Sequence, residues 1–302
     1  MTSARLEAVA VERFGSILGA GFTARGEQED AMGTAVSTAG PEHALGLSGI
    51  GLSFGGVAAL TDVSLTVRRG EICSVIGPNG AGKSSLINIV SGLYAADRGT
   101  IELLGRSFPR VPANRLASLG VARTFQNLAL FGGLSVRDNI ASGLVHRRRS
   151  GFLAQIAGLP GSRREDREIY DRAERTMEFL ALEPYAGRLV STLPYGLQKR
   201  VELARALVAE PALLLLDEPM AGMTATEKAE LAAFVRGARA RHDMAIILIE
   251  HDIGVVMGLS DHVVVLDYGR KIADGTPSEV RADPAVIRAY IGSAEGTSGD
   301  GI

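Results

Sequence analysis

A lysine and two serines close a glycine-rich stretch, GPNGAGKSS from Gly77 to Ser85, and no other stretch of the chain carries as much chemical content. Glycines at 77, 80 and 82, with Asn79 and Ala81 between them, let successive backbone N–H groups turn inward. At a helix N-terminus they line a concave anion site that the helix dipole also favours. Lys83 would reach the β- and γ-phosphates of a nucleotide, and the Ser84 hydroxyl would ligate Mg²⁺. A chance glycine-rich turn is the rival reading, but the setting argues against it. An apolar segment, Ile72 to Ile76, precedes the stretch, and the helix-compatible Leu86, Ile87, Ile89 and Val90 follow.

The second group of reactive side chains is Asp217-Glu218, directly after Leu213 to Leu216. Consecutive leucines of that kind read as a central parallel strand buried on both faces. Carboxylates at its end would stand opposite the phosphate loop, Asp217 to hold Mg²⁺ and Glu218 to polarise an attacking water. Gln126, at the end of the expected strand Val121 to Phe125, could touch both Mg²⁺ and the lytic water. His251, capping the expected strand Ala245 to Ile249, could hydrogen-bond the γ-phosphate. A lone glutamine or histidine at a strand end is usually structural; here each gains weight from the others.

The elements that must position these groups follow from periodicity. Short β-type runs cover Leu45 to Phe54, Val57 to Leu60 and Val63 to Val67, and Gly99 to Leu104 adds another, so an antiparallel sheet is expected beside the phosphate-loop strand. From about residue 127 to 189 the pattern turns helical and charged. There Arg163 to Leu180 places Ile169, Ala173, Met177 and Leu180 on one face, with Glu168–Arg172 and Asp171–Arg175 as i, i+4 pairs. Helices are expected over Leu197 to Val208 and Glu227 to Arg241. A hairpin spans Val263 to Ala273, with short helices near Ser278 to Arg281 and Pro284 to Ile291. Residues 1–43 read as a mobile extension in which Met32 could serve as an alternative start, and 293–302 as a disordered tail, leaving 44–292 as the folded unit. A basic cluster, Arg147 to Arg149, with Phe152, Leu153, Ile156 and Leu159 reads as a solvated turn beside a packing helix.

Composition bounds the function. The 302 residues are 46% hydrophobic and 22% charged, and 32 basic against 34 acidic side chains give a net charge of -2, so no basic field invites nucleic acid. The single cysteine, Cys73, forms no internal disulfide and suits a reducing cytosol. No apolar run approaches the roughly 18 residues of a membrane span, so any membrane role is peripheral. Arg5, Glu7, Glu12 and Arg13 interrupt the N-terminal apolar residues, against a secretory leader.

Over about Leu45 to Gly292 the chain resembles an ATP-binding cassette ATPase. In order it presents an aromatic adenine-stacking residue (Phe54), Walker A (Gly77 to Ser85), a Q-loop (Gln126) and a signature region (Leu193 to Gln198). Walker B with its glutamate (Leu213 to Glu218), a D-loop (Ala221 to Thr224) and a switch histidine (His251) complete the series. The resemblance implies an α/β P-loop NTPase with a RecA-like parallel-sheet core, an antiparallel β subdomain and a helical subdomain. It also implies ATP and Mg²⁺ as ligands, and a second ATPase subunit whose nucleotide meets the signature residues Pro194, Tyr195, Gly196 and Gln198. Pro194 departs from the usual signature serine and offers neither a hydroxyl nor an N–H. Thr224 stands where the family usually has Asp or Asn, which puts communication between the two sites in doubt.

Within the family, FGGVAALTDVSL, ARTFQNLALF, LPYGLQKRVELARAL and ADGTPSEVRADPAVIRAYIG are similar to ATPase subunits of branched-chain amino-acid importers. That likeness implies two transmembrane permeases, an extracytoplasmic binding protein and residence at the cytoplasmic face of the membrane. Urea or amide import and lipopolysaccharide-type export are the nearer alternatives. A soluble cassette ATPase of DNA repair or translation is disfavoured by the lack of coiled-coil insertions, zinc motifs or a tandem cassette.

Overall fold

The computed structural model describes residues 43–126, 128–147 and 160–295. The expected N-terminal extension up to residue 42, with Met32, lies outside them, as do Arg148, Arg149, the apolar residues from Phe152 to Leu159 and residues 296–302.

Two sheets organise the chain. One is antiparallel, with β1 (His43–Phe54), β2 (Val57–Arg68), β4 (Arg98–Leu103) and β5 (Arg106–Phe108) in the order β2-β1-β4-β5. The other joins β3 (Ile72–Ile76), β6 (Val121–Arg123), β7 (Leu213–Asp217), β8 (Ala245–Ile249), β9 (His262–Asp267) and β10 (Arg270–Gly275) in the order β10-β9-β3-β8-β7-β6. Every pairing in it is parallel except the β9–β10 hairpin. β3, β7 and β8 are buried at every position, as continuous apolar strands covered on both faces should be. The period-2 alternation decides which core each side chain joins. Leu214 and Leu216 face a helical cluster with Val201, Ala204 and Leu231, while Leu213 and Leu215 face the antiparallel sheet and the helix after the phosphate loop.

The runs 57–60 and 63–67, expected as separate strands, form the single strand β2, with Asp62 at φ 57° absorbing the irregularity. β5 was not expected, since RSF is too short to show alternation. β6 stops at Arg123, two residues before the expected end.

Among the described residues the α-helices are α1 (Lys83–Val90), α2 (Val136–Ser142), α3 (Pro160–Phe179), α4 (Tyr195–Leu207), α5 (Ala225–His242), α6 (Ile253–Leu259), α7 (Pro277–Ala282) and α8 (Pro284–Glu295). Ile169, Ala173, Met177 and Leu180 are buried together, as the spacing predicts. The ion pairs on that surface differ from expectation: Glu168 pairs with Arg164 at 3.2 Å, and Arg172 reaches Glu210 at 3.2 Å. Exposed pairs of this strength are exchangeable, and the partner within reach prevails. α8 runs to Glu295, past the expected start of the tail.

Candidate active site

β3 ends at Ile76, and the chain then makes the tight loop that the glycines allow. Gly77, Gly80 and Gly82 have φ of 148°, 79° and 99°, and Gly82 is the N-cap from which α1 begins at Lys83. A Cβ at Gly77 would stand 2.0 Å from the Leu266 carbonyl oxygen, so close approach, as well as backbone conformation, demands glycine there. Lys83 is buried and folds back over its own loop: its Nζ donates to the carbonyls of Gly77 at 2.7 Å and Pro78 at 2.9 Å. Burial holds the ammonium below the usual lysine range, against the opposing charges of Glu218 and Asp217. Asn79, Gly80 and the Ser84 side chain face solvent, Ala81 is buried and Ser85 half-buried.

At the end of β7, Asp217 is buried and Glu218 half-buried. Burial pushes the Asp217 carboxyl up from the ordinary range, and the hydrogen bond from Arg123 pulls it back. Glu218 has φ 48°, a left-handed conformation unusual outside glycine, and its N–H donates to the Ile249 carbonyl at 2.9 Å. Gln126 Nε2 donates to Glu218 Oε2 at 3.0 Å, so the residues from the expected β6 and β7 strand ends do meet. His251 follows β8 with an exposed side chain, 4.0 Å from the buried Glu250 carboxylate. Phe54 is 48% exposed and stands edge-on to Tyr94 with ring centroids 5.2 Å apart, which makes an aromatic lip of two rings where the sequence suggested one.

Arg123 was not expected at all. Its NH2 donates to Asp217 Oδ2 at 3.0 Å with both side chains buried, its NH1 donates to Ser91 Oγ at the end of α1, and its guanidinium lies over the Phe125 ring. One side chain therefore ties together the phosphate-loop helix, the acidic strand and the segment leading to Gln126. The signal was an arginine in an otherwise apolar strand, facing a strand known to end in acids.

The signature residues lie apart from the phosphate loop. Pro194 is the N-cap of α4 at φ -54° with no side-chain cap, and α4 begins two residues earlier than expected, at Tyr195. Gln198 folds back to donate Nε2 to the Leu193 carbonyl at 2.8 Å. Gly196 is buried, and a Cβ there would come 2.1 Å from Glu227 Oε1, while a Cβ at Gly222 would lie 3.3 Å from the Tyr195 ring. The signature turn and residues 221–224 are thus packed on each other. Thr224 acts locally, capping α5 in a reciprocal capping box with Glu227.

Residues 60–221 match the model of a family described as ABC transporter, and 270–296 match one described as branched-chain amino acid ATP-binding cassette transporter. The chain is 41% identical over 250 residues to the high-affinity branched-chain amino acid transport ATP-binding protein LivG of Salmonella typhimurium, covering 83% of this chain and 98% of that one. It is 40% identical, with the same coverage, to BraF of Pseudomonas aeruginosa, which bears the same description. A solved ATP-binding cassette of an ABC transporter in its ADP conformation superposes with a TM-score of 0.73 at 30% identity, over 83% of this chain and 99% of that one. Another, cbiO1 of Clostridium perfringens, part of the transporter complex cbiONQ, gives 0.69 at 27% identity over 85% and 100%.

Proposed function

The chain belongs to the ATP-binding cassette transporter family and is an ATPase, and from that premise we propose that it powers branched-chain amino-acid uptake as the nucleotide-hydrolysing subunit of a membrane importer. The observation that carries the cargo class is the likeness to LivG and BraF over nearly their whole length, including the C-terminal segment 270–296.

The site residues take the following roles in this reading. Phe54 and Tyr94 flank the adenine, and base–aromatic stacking contributes about 1–3 kcal/mol per base. The N–H groups of the loop from Gly77 to Ser85 receive the phosphates, and Lys83 exchanges its two loop carbonyls for phosphate oxygens. Ser84, Gln126 and Asp217 supply only oxygen donors, a hard set that suits Mg²⁺, and Asp217 Oδ2 is already neutralised by Arg123. Bound there, the ion would offset phosphate charge. Glu218 polarises the attacking water once Gln126 releases it, and His251 reaches the terminal phosphate.

ATPase subunits of this family work with transmembrane permeases. Among the described residues no helix is long and apolar enough to cross a membrane, so this chain docks on such partners rather than spanning beside them. The complete assembly has two permeases, a second ATPase subunit and an extracytoplasmic binding protein, with this chain on the cytoplasmic face. The α4 N-terminus, with Pro194, Tyr195, Gly196 and Gln198, serves the nucleotide of the second ATPase subunit. With no side chain capping that turn, its backbone N–H groups and helix dipole replace the missing serine.

Proteoliposomes holding the complex encoded with this chain test the cargo directly. ATP inside and binding protein outside should drive saturable uptake of leucine, isoleucine or valine. Uptake of urea or short amides alone would reassign the cargo, and extraction of lipid in place of uptake would reverse the direction of transport.

A further inference from the structure

Glu250 stands between the end of β8 and the exposed His251, yet it is only 1% exposed. Its Oε1 accepts a hydrogen bond from the buried Met220 N–H at 2.9 Å, and its Oε2 lies 4.0 Å from His251 Nδ1. Burial pushes the carboxyl up from its ordinary range, and the hydrogen bond from Met220 pulls it back. The contact survives in either protonation state, because a carboxyl oxygen accepts with or without the proton.

That hydrogen bond anchors the turn that carries Glu218. Glu218 sits at φ 48°, a conformation that a residue other than glycine keeps only when its surroundings fix it. Its N–H donates to the Ile249 carbonyl at 2.9 Å, one step beyond the β7–β8 ladder that pairs Asp217 with Ile249. Pro219 follows and has no N–H to give. Met220 therefore carries the first amide beyond Glu218 that can anchor the turn, and Glu250 receives it. Two consecutive residues at the end of β8 thus hold the left-handed residue from both sides, Ile249 through its backbone carbonyl and Glu250 through its side chain.

We propose that Glu250 is a positioning residue for Glu218: its Oε1 anchors the Met220 N–H and so holds the turn that aims the Glu218 carboxylate at the attacking water. The inference rests on the reading of Glu218 as the group that polarises that water, and it gives the residue beside His251 a part in placing it. Without an acceptor the Met220 N–H is buried and unpaired, a penalty that the turn escapes only by shifting. The shift moves the Glu218 backbone, two residues back, and with it the carboxylate that Gln126 holds at 3.0 Å.

The experiment measures ATP turnover at saturating nucleotide, ATP affinity and thermal melting for the reconstituted complex carrying the parent chain, Glu250→Gln, Glu250→Met, Glu250→Asp or Glu218→Gln. Glutamine keeps an acceptor oxygen at the same reach. Methionine keeps the volume and removes the oxygen, and aspartate keeps the charge but draws the oxygen back by one methylene. The expected result is turnover about tenfold lower in Glu250→Met and Glu250→Asp, less than the roughly 100-fold that a misplacement of about 1 Å can cost. ATP affinity should stay at the parent value, because Lys83 is anchored within its own loop, and Glu250→Gln should restore turnover. Should Glu250→Met fail to assemble, Glu250→Asp decides. A lowered melting temperature with parent turnover in Glu250→Asp would make the contact purely structural and overturn the proposal. Equal loss in Glu250→Gln would transfer the effect to the charge facing His251 and overturn it too. Parent turnover in Glu218→Gln would instead take Glu218 out of the chemistry, and this inference with it.

Discussion

The turns at the starts of α1 and α4 both carry a glycine into the helix N-terminus, and they need glycine for different reasons. At the start of α1, Gly82 adopts φ 99° and a Cβ would meet the Ala59 carbonyl oxygen at 2.7 Å, so conformation and fixed backbone both exclude a side chain. At the start of α4, Gly196 is helical, and what a Cβ would meet is the end of the Glu227 side chain. The surroundings differ in the same sense. Around the first turn each charged group has a partner within the chain: Lys83 with loop carbonyls, Asp217 with Arg123, Glu218 with Gln126. The second turn presents Pro194 and a Tyr195 ring that is 44% exposed. One is a site held together by its own chain; the other is a surface shaped to be met.

The segment around residues 123–131 connects them. Arg123 and Gln126 hold the acids of β7, while the Gln126 carbonyl accepts from Lys199 Nζ at 3.2 Å and the Arg205 guanidinium donates to the Ala129 carbonyl, both from α4. α4 is thus in direct hydrogen-bond contact with the residue that holds the Glu218 carboxylate.

The largest effect is expected at Glu218. Glu218→Gln keeps the size of the side chain and removes its basicity, so phosphate release by the reconstituted complex should fall about 100-fold or more while ATP still binds. Turnover equal to the parent would take Glu218 out of the chemistry and leave the phosphate side without its base.

Next come the two buried ion pairs, one for each turn. Arg123→Met strands Asp217 in a buried site, and losing one partner of such a pair costs about 3–5 kcal/mol in a urea melt. Lys199→Met should cost less, about 2 kcal/mol, because its pair with Glu202 is longer at 3.5 Å and Glu202 can escape by taking a proton. Burial already raises the Glu202 carboxyl above its ordinary range, and Lys199 is the main opposing charge. With Lys199 gone, the folded form binds a proton more tightly than the unfolded chain. The stability lost by Lys199→Met at neutral pH should thus return as pH falls toward the unfolded glutamate range. A deficit that stays flat or grows on acidification would show that Glu202 keeps its charge.

What the sequence disclosed follows the same division. The phosphate loop, the acidic strand end and the buried β7 and β8 were legible because each writes its physics locally: glycines at fixed spacing, or four leucines before two acids. Arg123 and Tyr94 were not. Each acts across a long sequence separation, Arg123 on Asp217 and Tyr94 on Phe54, and a side chain's partner in another element leaves no periodic trace. Pairing on the α3 surface was misread for the opposite reason, since exposed charges had several partners of nearly equal energy.

The smallest effect concerns Thr224, whose departure from the family's usual Asp or Asn suggested altered communication between sites. In the structure its hydroxyl accepts from the Glu227 N–H at 3.4 Å, and Glu227 Oε2 accepts from the Thr224 N–H at 2.9 Å, so the residue is an N-cap first. Threonine and aspartate are both good N-caps and alanine is not. Thr224→Ala should therefore cost about 1 kcal/mol, and Thr224→Asp close to nothing, in the same urea melts. ATPase rates of the complex separate capping from communication. If Thr224→Asp leaves both stability and turnover at parent values, the threonine is one of several interchangeable caps. Raised turnover at unchanged stability would mean that the signature side, which leans on Glu227 through Gly196, is tuned by the identity of that cap.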